Sequence, residues 1–253
     1  MDFYFSGVSS PAERALLEAA GVARVLVDPT DLANVAGWPG QVALDCGAYR
    51  RHRGGNAASF REYVTLAERG GFAFVTAYDV IGDQARSRRY WREMCDLGLR
   101  AVPVYHWGAR RSVLLRYLDE APLVGIGGMV NILRAKGQTK EETKALERAR
   151  AVAAHELGEL CVTYTGRLHL FGGCFLRLLE ELREVLASAD SSKWLDGRRY
   201  RLHIFEHSRT RHLSIAPARA LGLGDLDGDR LSVENAVNME HYLKSGCRVG
   251  ATA

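Results

Sequence analysis

Two hydrophobic periods take turns along the chain. Short apolar runs rich in β-branched and aromatic residues give way to longer amphipathic stretches, and the exchange repeats through most of the length, the mark of strands alternating with helices. FYFSG (3–7), RVLVD (24–28), VALDCG (42–47), FAFVTAYDV (72–80), AVPVYHW (101–107), LVGIGG (123–128), RLHLFGG (167–173) and YRLHIF (200–205) predict strands. PAERALLEAAG (11–21), FREYVTLAERGG (60–71), QARSRRYWREMCDLG (84–98), SVLLRYLDE (112–120), TKEETKALERARAVAAHELG (139–158), CFLRLLEELREVLASA (174–189) and VENAVNMEHYLKSG (233–246) predict helices. Ser10 before Pro11 reads as a cap with a first-turn proline, and Gly70-Gly71 as a helix stop. Repeated βα units build a parallel sheet. About eight strands and seven helices in 253 residues, with no linker, low-complexity tract or repeat, predict an α/β fold: one (β/α)8 TIM-barrel domain over residues 1–253. Residues 188–232 carry the weakest periodicity. Within them GLGDLDGDR (222–230) reads as a loop, and it lacks the closing Glu of a calcium-binding loop.

Composition adds little to this. The chain is 47% hydrophobic and 25% charged, with a formal charge of +4, too mildly basic to indicate a nucleic-acid partner by itself. Arginine is nevertheless clustered, in RRHR (50–53), RSRR (86–89), RR (110–111) and RRYR (198–201). Such clusters are either solvated faces or a phosphate-binding surface. Five scattered cysteines without a C-x-x-C pair show no zinc site of that type and predict a reducing compartment. With neither a signal-type N-terminus nor an apolar run of membrane-spanning length, the expectation is a cytoplasmic protein without a membrane partner.

The special residues recur where predicted strands end. Asp45 ends VALD, Asp79 ends VTAYD, His106 ends VPVYH, Gly127 and Gly128 end VGIGG, and Gly172 follows Phe171 in HLFGG. In a barrel these positions converge on one mouth, where active sites form. Each has an ordinary alternative: Asp45 as a turn or helix-capping residue, His106 as a satisfied core histidine, and the glycines as tight packing at a strand end. Asp83 is better placed than Asp79 to cap the helix from Gln84, which frees Asp79.

As an ordered set, these motifs resemble the tRNA-guanine transglycosylase family, and above all its short phage and bacterial relatives that insert 7-deazaguanine bases into DNA. The carrying stretches are Asp45-Cys46-Gly47-Ala48-Tyr49, AYDVIGD around Asp79, Gly127-Gly128-Met129, Phe171-Gly172, and Asp190 in SADSSKW, and the resemblance as a whole runs from about residue 3 to about 245. The resemblance implies a TIM barrel. Asp190 would be the nucleophile that forms a covalent glycosyl intermediate at C1′, and Asp45 the proton-carrying acid and base. Asp79 would read the guanine edge, with His106 and the Gly127–Gly128 and Gly172 backbone as further contacts. Tyr49 and Phe171 would stack on the base. Arg50, Arg51, Arg53, Arg86, Arg89, Arg110 and Arg111 would meet flanking phosphates, and the target base would have to be flipped out or single-stranded.

The tRNA-acting enzymes carry a C-x-C-x-x-C zinc site, and here no cysteine lies between 174 and 247. The resemblance therefore implies a chain without the zinc subdomain, needing neither metal nor cofactor, with DNA as the macromolecular substrate and a preQ0-like base as the small one. Exchange on tRNA, hydrolysis of the glycosidic bond, and a non-catalytic nucleic-acid-binding or partner subunit are the alternatives. Accessory proteins and a homodimer stay open.

Overall fold

The computed structural model describes residues 1–173, 176–205, 209–212 and 227–244. Nine parallel strands form its main sheet: β1 (Asp2–Ser6), β2 (Arg24–Val27), β3 (Gln41–Leu44), β4 (Val75–Thr76), β5 (Ala101–Val102), β6 (Val104–His106), β7 (Val124–Gly127), β8 (Leu168–Leu170) and β9 (Ser188–Ser191). Their order is β5-β4-β3-β2-β1-β9-β8-β7-β6. Only Pro103 separates β5 from β6 in sequence, although they stand at opposite ends of this order, so the sheet curls round into a nearly closed, barrel-like mixed α/β fold. Proline has no N–H to give a ladder, but the Pro103 carbonyl still accepts from the Gly125 N–H at 2.9 Å.

Helices connect the strands: α1 (Pro11–Ala19), α2 (Ala48–His52), α3 (Phe60–Glu68), α4 (Gln84–Asp96), α5 (Arg111–Glu120), α6 (Met129–Arg134), α7 (Lys140–Thr163), α8 (Leu176–Leu182), α9 (Asp196–Tyr200) and α10 (Gly228–Lys244). Their starts are locally encoded. The Ser10 side chain accepts from the Glu13 N–H ahead of α1, while Ser59 with Glu62 and Thr139 with Glu142 form capping boxes on α3 and α7. Among the described residues no helix is long and apolar enough to cross a membrane.

Three expectations need correcting. The segment 174–189 does not run as one helix: α8 ends at Leu182, and Ser188–Ser191 form a strand paired in parallel with β1 and β8. All four residues of that strand are buried, so it shows no polar alternation, and Ser-Ala-Asp-Ser lacks the β-branched residues that announce a strand. YRLHIF does not supply a strand to this sheet: Leu202–Phe205 pairs antiparallel with β11 (Arg209–His212) as β10 of a separate two-stranded sheet. Of the predicted loop 222–230, residues 222–226 lie outside the described residues, and α10 already begins at Gly228. Residues 174–175 and 245–246 of two predicted helices also lie outside them.

Successive strand residues face opposite ways, and the core divides accordingly. Phe3, Phe5, Val25, Val27 and Leu44 join the large cluster beneath the helices, whereas Tyr4, Leu26 and Ala43 pack with Phe74 and Phe171 in a smaller cluster on the other face. One hydroxyl ties the outer layer to the strand ends. Tyr63 of α3, wholly buried, donates to the Thr76 carbonyl at 2.7 Å, and Thr76 Oγ1 accepts from the Cys46 N–H at 2.9 Å. Tyr63→Phe leaves that carbonyl without its side-chain donor and should cost about 1–2 kcal/mol, read as a lower urea midpoint at unchanged slope; an unchanged midpoint would refute the tie.

Candidate active site

Because the strands are parallel, their carboxyl ends open on one side, and the predicted acidic residues gather there. Asp45 follows β3 directly. Its backbone N–H donates to the Val27 carbonyl at 2.8 Å, which locks its position to β2. Gly47 comes next with φ +70, a left-handed conformation that suits glycine, and turns the chain into α2. Its N–H lies 3.3 Å from Asp45 Oδ2, and Thr76 Oγ1 lies 3.4 Å from Oδ1. These contacts are long, so the Asp45 carboxyl is weakly solvated by protein donors. Burial, then the charge of Asp190, then that of Asp28 push its pKa up to about 7.

Asp190 sits in the middle of buried strand β9, opposite Tyr4 in register. The Gly172 N–H donates to its Oδ1 at 2.9 Å, and the Gly173 N–H donates to its backbone carbonyl at 2.6 Å. Gly172 has φ +65, and a Cβ there would come within 2.9 Å of Val130. The turn after β8 therefore delivers its amide to the carboxylate through a backbone that a side chain would disturb. The charge of Asp190 reaches Asp45, although β3 and β9 are separated in the sheet by β2 and β1.

Asp79 and His106 form a second group. Asp79 is buried, and its Oδ1 lies 2.6 Å from His106 Nε2. The His106 N–H donates to Gln84 Oε1 at 2.7 Å, so α4 holds the end of β6. The Asp79 N–H donates to Cys46 Sγ at 3.2 Å, linking this group to the residue after Asp45. Gly127 closes β7 and its carbonyl accepts from the Trp107 N–H at 2.9 Å, while Gly128, at φ +85, turns the chain into α6. Phe171 lies over bare Gly125, where a Cβ would come within 2.2 Å of the ring, and packs edge-on at 4.3 Å from His169.

The aromatic and basic residues predicted for the mouth divide unevenly. Tyr49 on α2 is 68% exposed, in contrast to the packed Phe171. Arg50 is engaged inside the protein: its Nε pairs with Asp28 at 2.7 Å and its Nη2 with Asp31 at 2.5 Å. Arg51 donates to the Asp79 carbonyl at 2.7 Å and covers the Tyr78 ring at 4.1 Å. Both arginines therefore brace α2 against the sheet ends. Arg53, Arg86, Arg89, Arg110 and Arg111 are exposed; Arg86 and Arg89 lie near the Tyr90 ring.

Sequence reasoning passed over three participants. Asp28 ends RVLVD just as Asp45 ends VALD, so the strand-end rule applied evenly would have found it. Thr76 and His169 lie inside strand runs, where nothing local separates them from packing residues. His169 is fully buried, with Nδ1 at 2.7 Å from Ser188 Oγ and Nε2 at 3.5 Å from Asp190 Oδ1. Compared with protein-family models and with curated proteins, the chain matches none.

The raised pKa of Asp45 has a sign that stability measurements can check. A carboxyl whose folded pKa lies above its unfolded value of 3.8 stabilises fully below that value, and the contribution is lost as pH rises through about 7. Asp45→Asn removes the partly buried anion, so the variant should exceed the wild type by about 2–4 kcal/mol at pH 8, with the gain shrinking as pH falls toward 4. Thermal melts across that range test it, and a gain independent of pH would contradict the assignment.

Proposed function

We propose that the protein is a base-exchange pentosyltransferase that replaces guanine in DNA with a 7-deazaguanine base through a covalent aspartyl-glycosyl intermediate. The observation that carries this reading is the pair of carboxyls at the strand ends, one held by a backbone N–H and the other pushed up to about 7. Base exchange asks for that asymmetry: an anionic nucleophile beside an acid that can give up and recover a proton near neutral pH.

In this reading Asp190 attacks C1′ as the bond to guanine breaks, and the Asp45 carboxyl protonates the departing base. The incoming 7-deazaguanine returns a proton to Asp45 as its nitrogen displaces Asp190 from C1′. Protecting the sugar as an ester keeps water from capturing the oxocarbenium-like centre. Asp79, with one oxygen on His106, has the other for the N1–H and 2-amino edge. The Gly127–Gly128 and Gly172 backbone borders the base, and Phe171 supplies a fixed stacking face, with stacking worth about 1–3 kcal/mol. Exposed Tyr49 would have to close over the base from α2.

The fold supports the reading in outline. Counting β5 and β6 as one strand broken at Pro103 gives eight parallel strands, the number of a (β/α)8 barrel, whose catalytic groups collect at the carboxyl ends. Phosphate contacts would fall to Arg53, Arg86, Arg89, Arg110 and Arg111, because Arg50 and Arg51 are committed within the protein.

Incubation with radiolabelled guanine or preQ0 and either duplex DNA or unmodified tRNA tests this. Label should enter DNA with the wild type, and Asp190→Ala should lower the rate by about 10⁴-fold or more. Guanine release should slow as pH rises above about 7, where Asp45 loses its proton. Label in tRNA alone would move the substrate from DNA to tRNA, and no label in either would defeat the reading.

A further inference from the structure

A buried histidine stands behind the proposed nucleophile with half of its hydrogen-bonding capacity unspent. His169 is 0% exposed on β8. Aromatic rings hem it in: Phe171 at 4.3 Å, Phe74 at 5.1 Å and Tyr4 at 6.4 Å between centroids. Nδ1 is at 2.7 Å from Ser188 Oγ, but Nε2 has no partner at hydrogen-bond geometry among the described residues. The nearest carboxylate atom is Asp190 Oδ1, at 3.5 Å. The titratable groups facing the ring are Asp190 on β9 and Tyr4 on β1.

An imidazole carries its proton on either nitrogen. With a bare Nε2 lone pair toward Asp190, two acceptors would oppose each other in a dry site. With Nε2–H, the ring accepts from the Ser188 hydroxyl at Nδ1 and aims its proton at the carboxylate. A buried donor without a partner is costly, so the short movement that closes 3.5 Å to a hydrogen bond is favoured. Oδ1 would then receive two donors, Gly172 N–H and His169 Nε2–H, and only Oδ2 would remain to react.

We propose that His169 is a positioning residue that holds Asp190 Oδ1 and thereby selects Oδ2 as the attacking oxygen. The inference rests on the base-exchange reading. An Oδ2 lone pair forms the bond to C1′ as the C1′–N bond breaks; the electron pair of that bond stays on the base nitrogen, which takes the Asp45 proton. Oδ1 becomes the carbonyl oxygen of the ester, still held by its two donors. In the second half the incoming nitrogen forms its bond to C1′, its proton passes to Asp45, and the electron pair returns to Oδ2.

Nitrogen-15 spectra of the histidine-labelled full chain test the pair without any substrate. His169 should be protonated at Nε2 and bare at Nδ1 near neutral pH, and Ser188→Ala should move it toward a mixture of tautomers. A wild-type spectrum showing Nδ1–H would overturn the proposal, and that readout needs no variant to fold. In the exchange assay, His169→Phe should lower kcat by about tenfold to a hundredfold and leave KM unchanged, whereas an effect on melting temperature alone would assign His169 a packing role and overturn it too. If the wild type exchanges no base while the spectra behave as expected, the base-exchange reading fails and the His169–Asp190 pairing survives.

Discussion

Carboxylates that share the open end of a parallel sheet repel one another, and the surroundings of each are shaped by how that repulsion is met. Like charges in a site of low dielectric cannot all stay ionised without donors. Asp28 has the Arg50 guanidinium and the Thr30 N–H. Asp79 has His106, and Asp190 has the Gly172 N–H. Asp45 alone has only long contacts, so burial, with the charges of Asp190 and Asp28 added to it, leaves it holding its proton up to about 7.

The same constraint explains why α2 is built as it is. A short helix of Ala-Tyr-Arg-Arg-His directly after Gly47 carries two cations back over the sheet, one to Asp28 and Asp31 and one to the Asp79 carbonyl. Arg50 thus pairs with Asp28, one of the carboxylates whose charge raises Asp45. Surface ion pairs contribute little, but here Asp28 and Asp31 are largely buried, and leaving them unpaired would be expensive. A cluster of arginines beside a carboxylate motif therefore has two physical readings, and at positions 50 and 51 the internal one holds.

How far the chain could be read follows from where each signal lives. Strand ends with Asp45, Asp79 and His106 were legible because each closes an apolar run, and the helix start at Ser10 because a cap is local chemistry. Strand β9 was not, since a fully buried Ser-Ala-Asp-Ser segment has neither alternation nor β-branched residues, and its identity depends on β1 and β8 lying either side of it. That omission displaced the eighth strand onto Leu202–Phe205, a segment with the right composition but an antiparallel partner. Arg50 and His169 were illegible for a related reason: their partners lie 22 and 21 residues away or on other strands, and spacing along the chain carries no trace of them.

Placing Asp190 within a strand rather than after a helix changes what it can do. A residue past a helix end would owe its position to a loop, whereas β9 is paired on both sides, with Tyr4 opposite Asp190 in the register and the Gly173 N–H on its own carbonyl. Its main chain is thus held by β1 on one side and by the Gly173 N–H on the other. Only the carboxyl torsion remains, and the Gly172 N–H restricts that from one side. Under the proposed chemistry, a nucleophile that must meet C1′ within a few tenths of an ångström gains more from such rigidity than from added acidity, because misplacement by about 1 Å can cost a hundredfold in rate. The mouth thus combines one carboxyl held by its backbone with one whose proton is loosely kept, and the parallel sheet supplies both from strands it has already ordered.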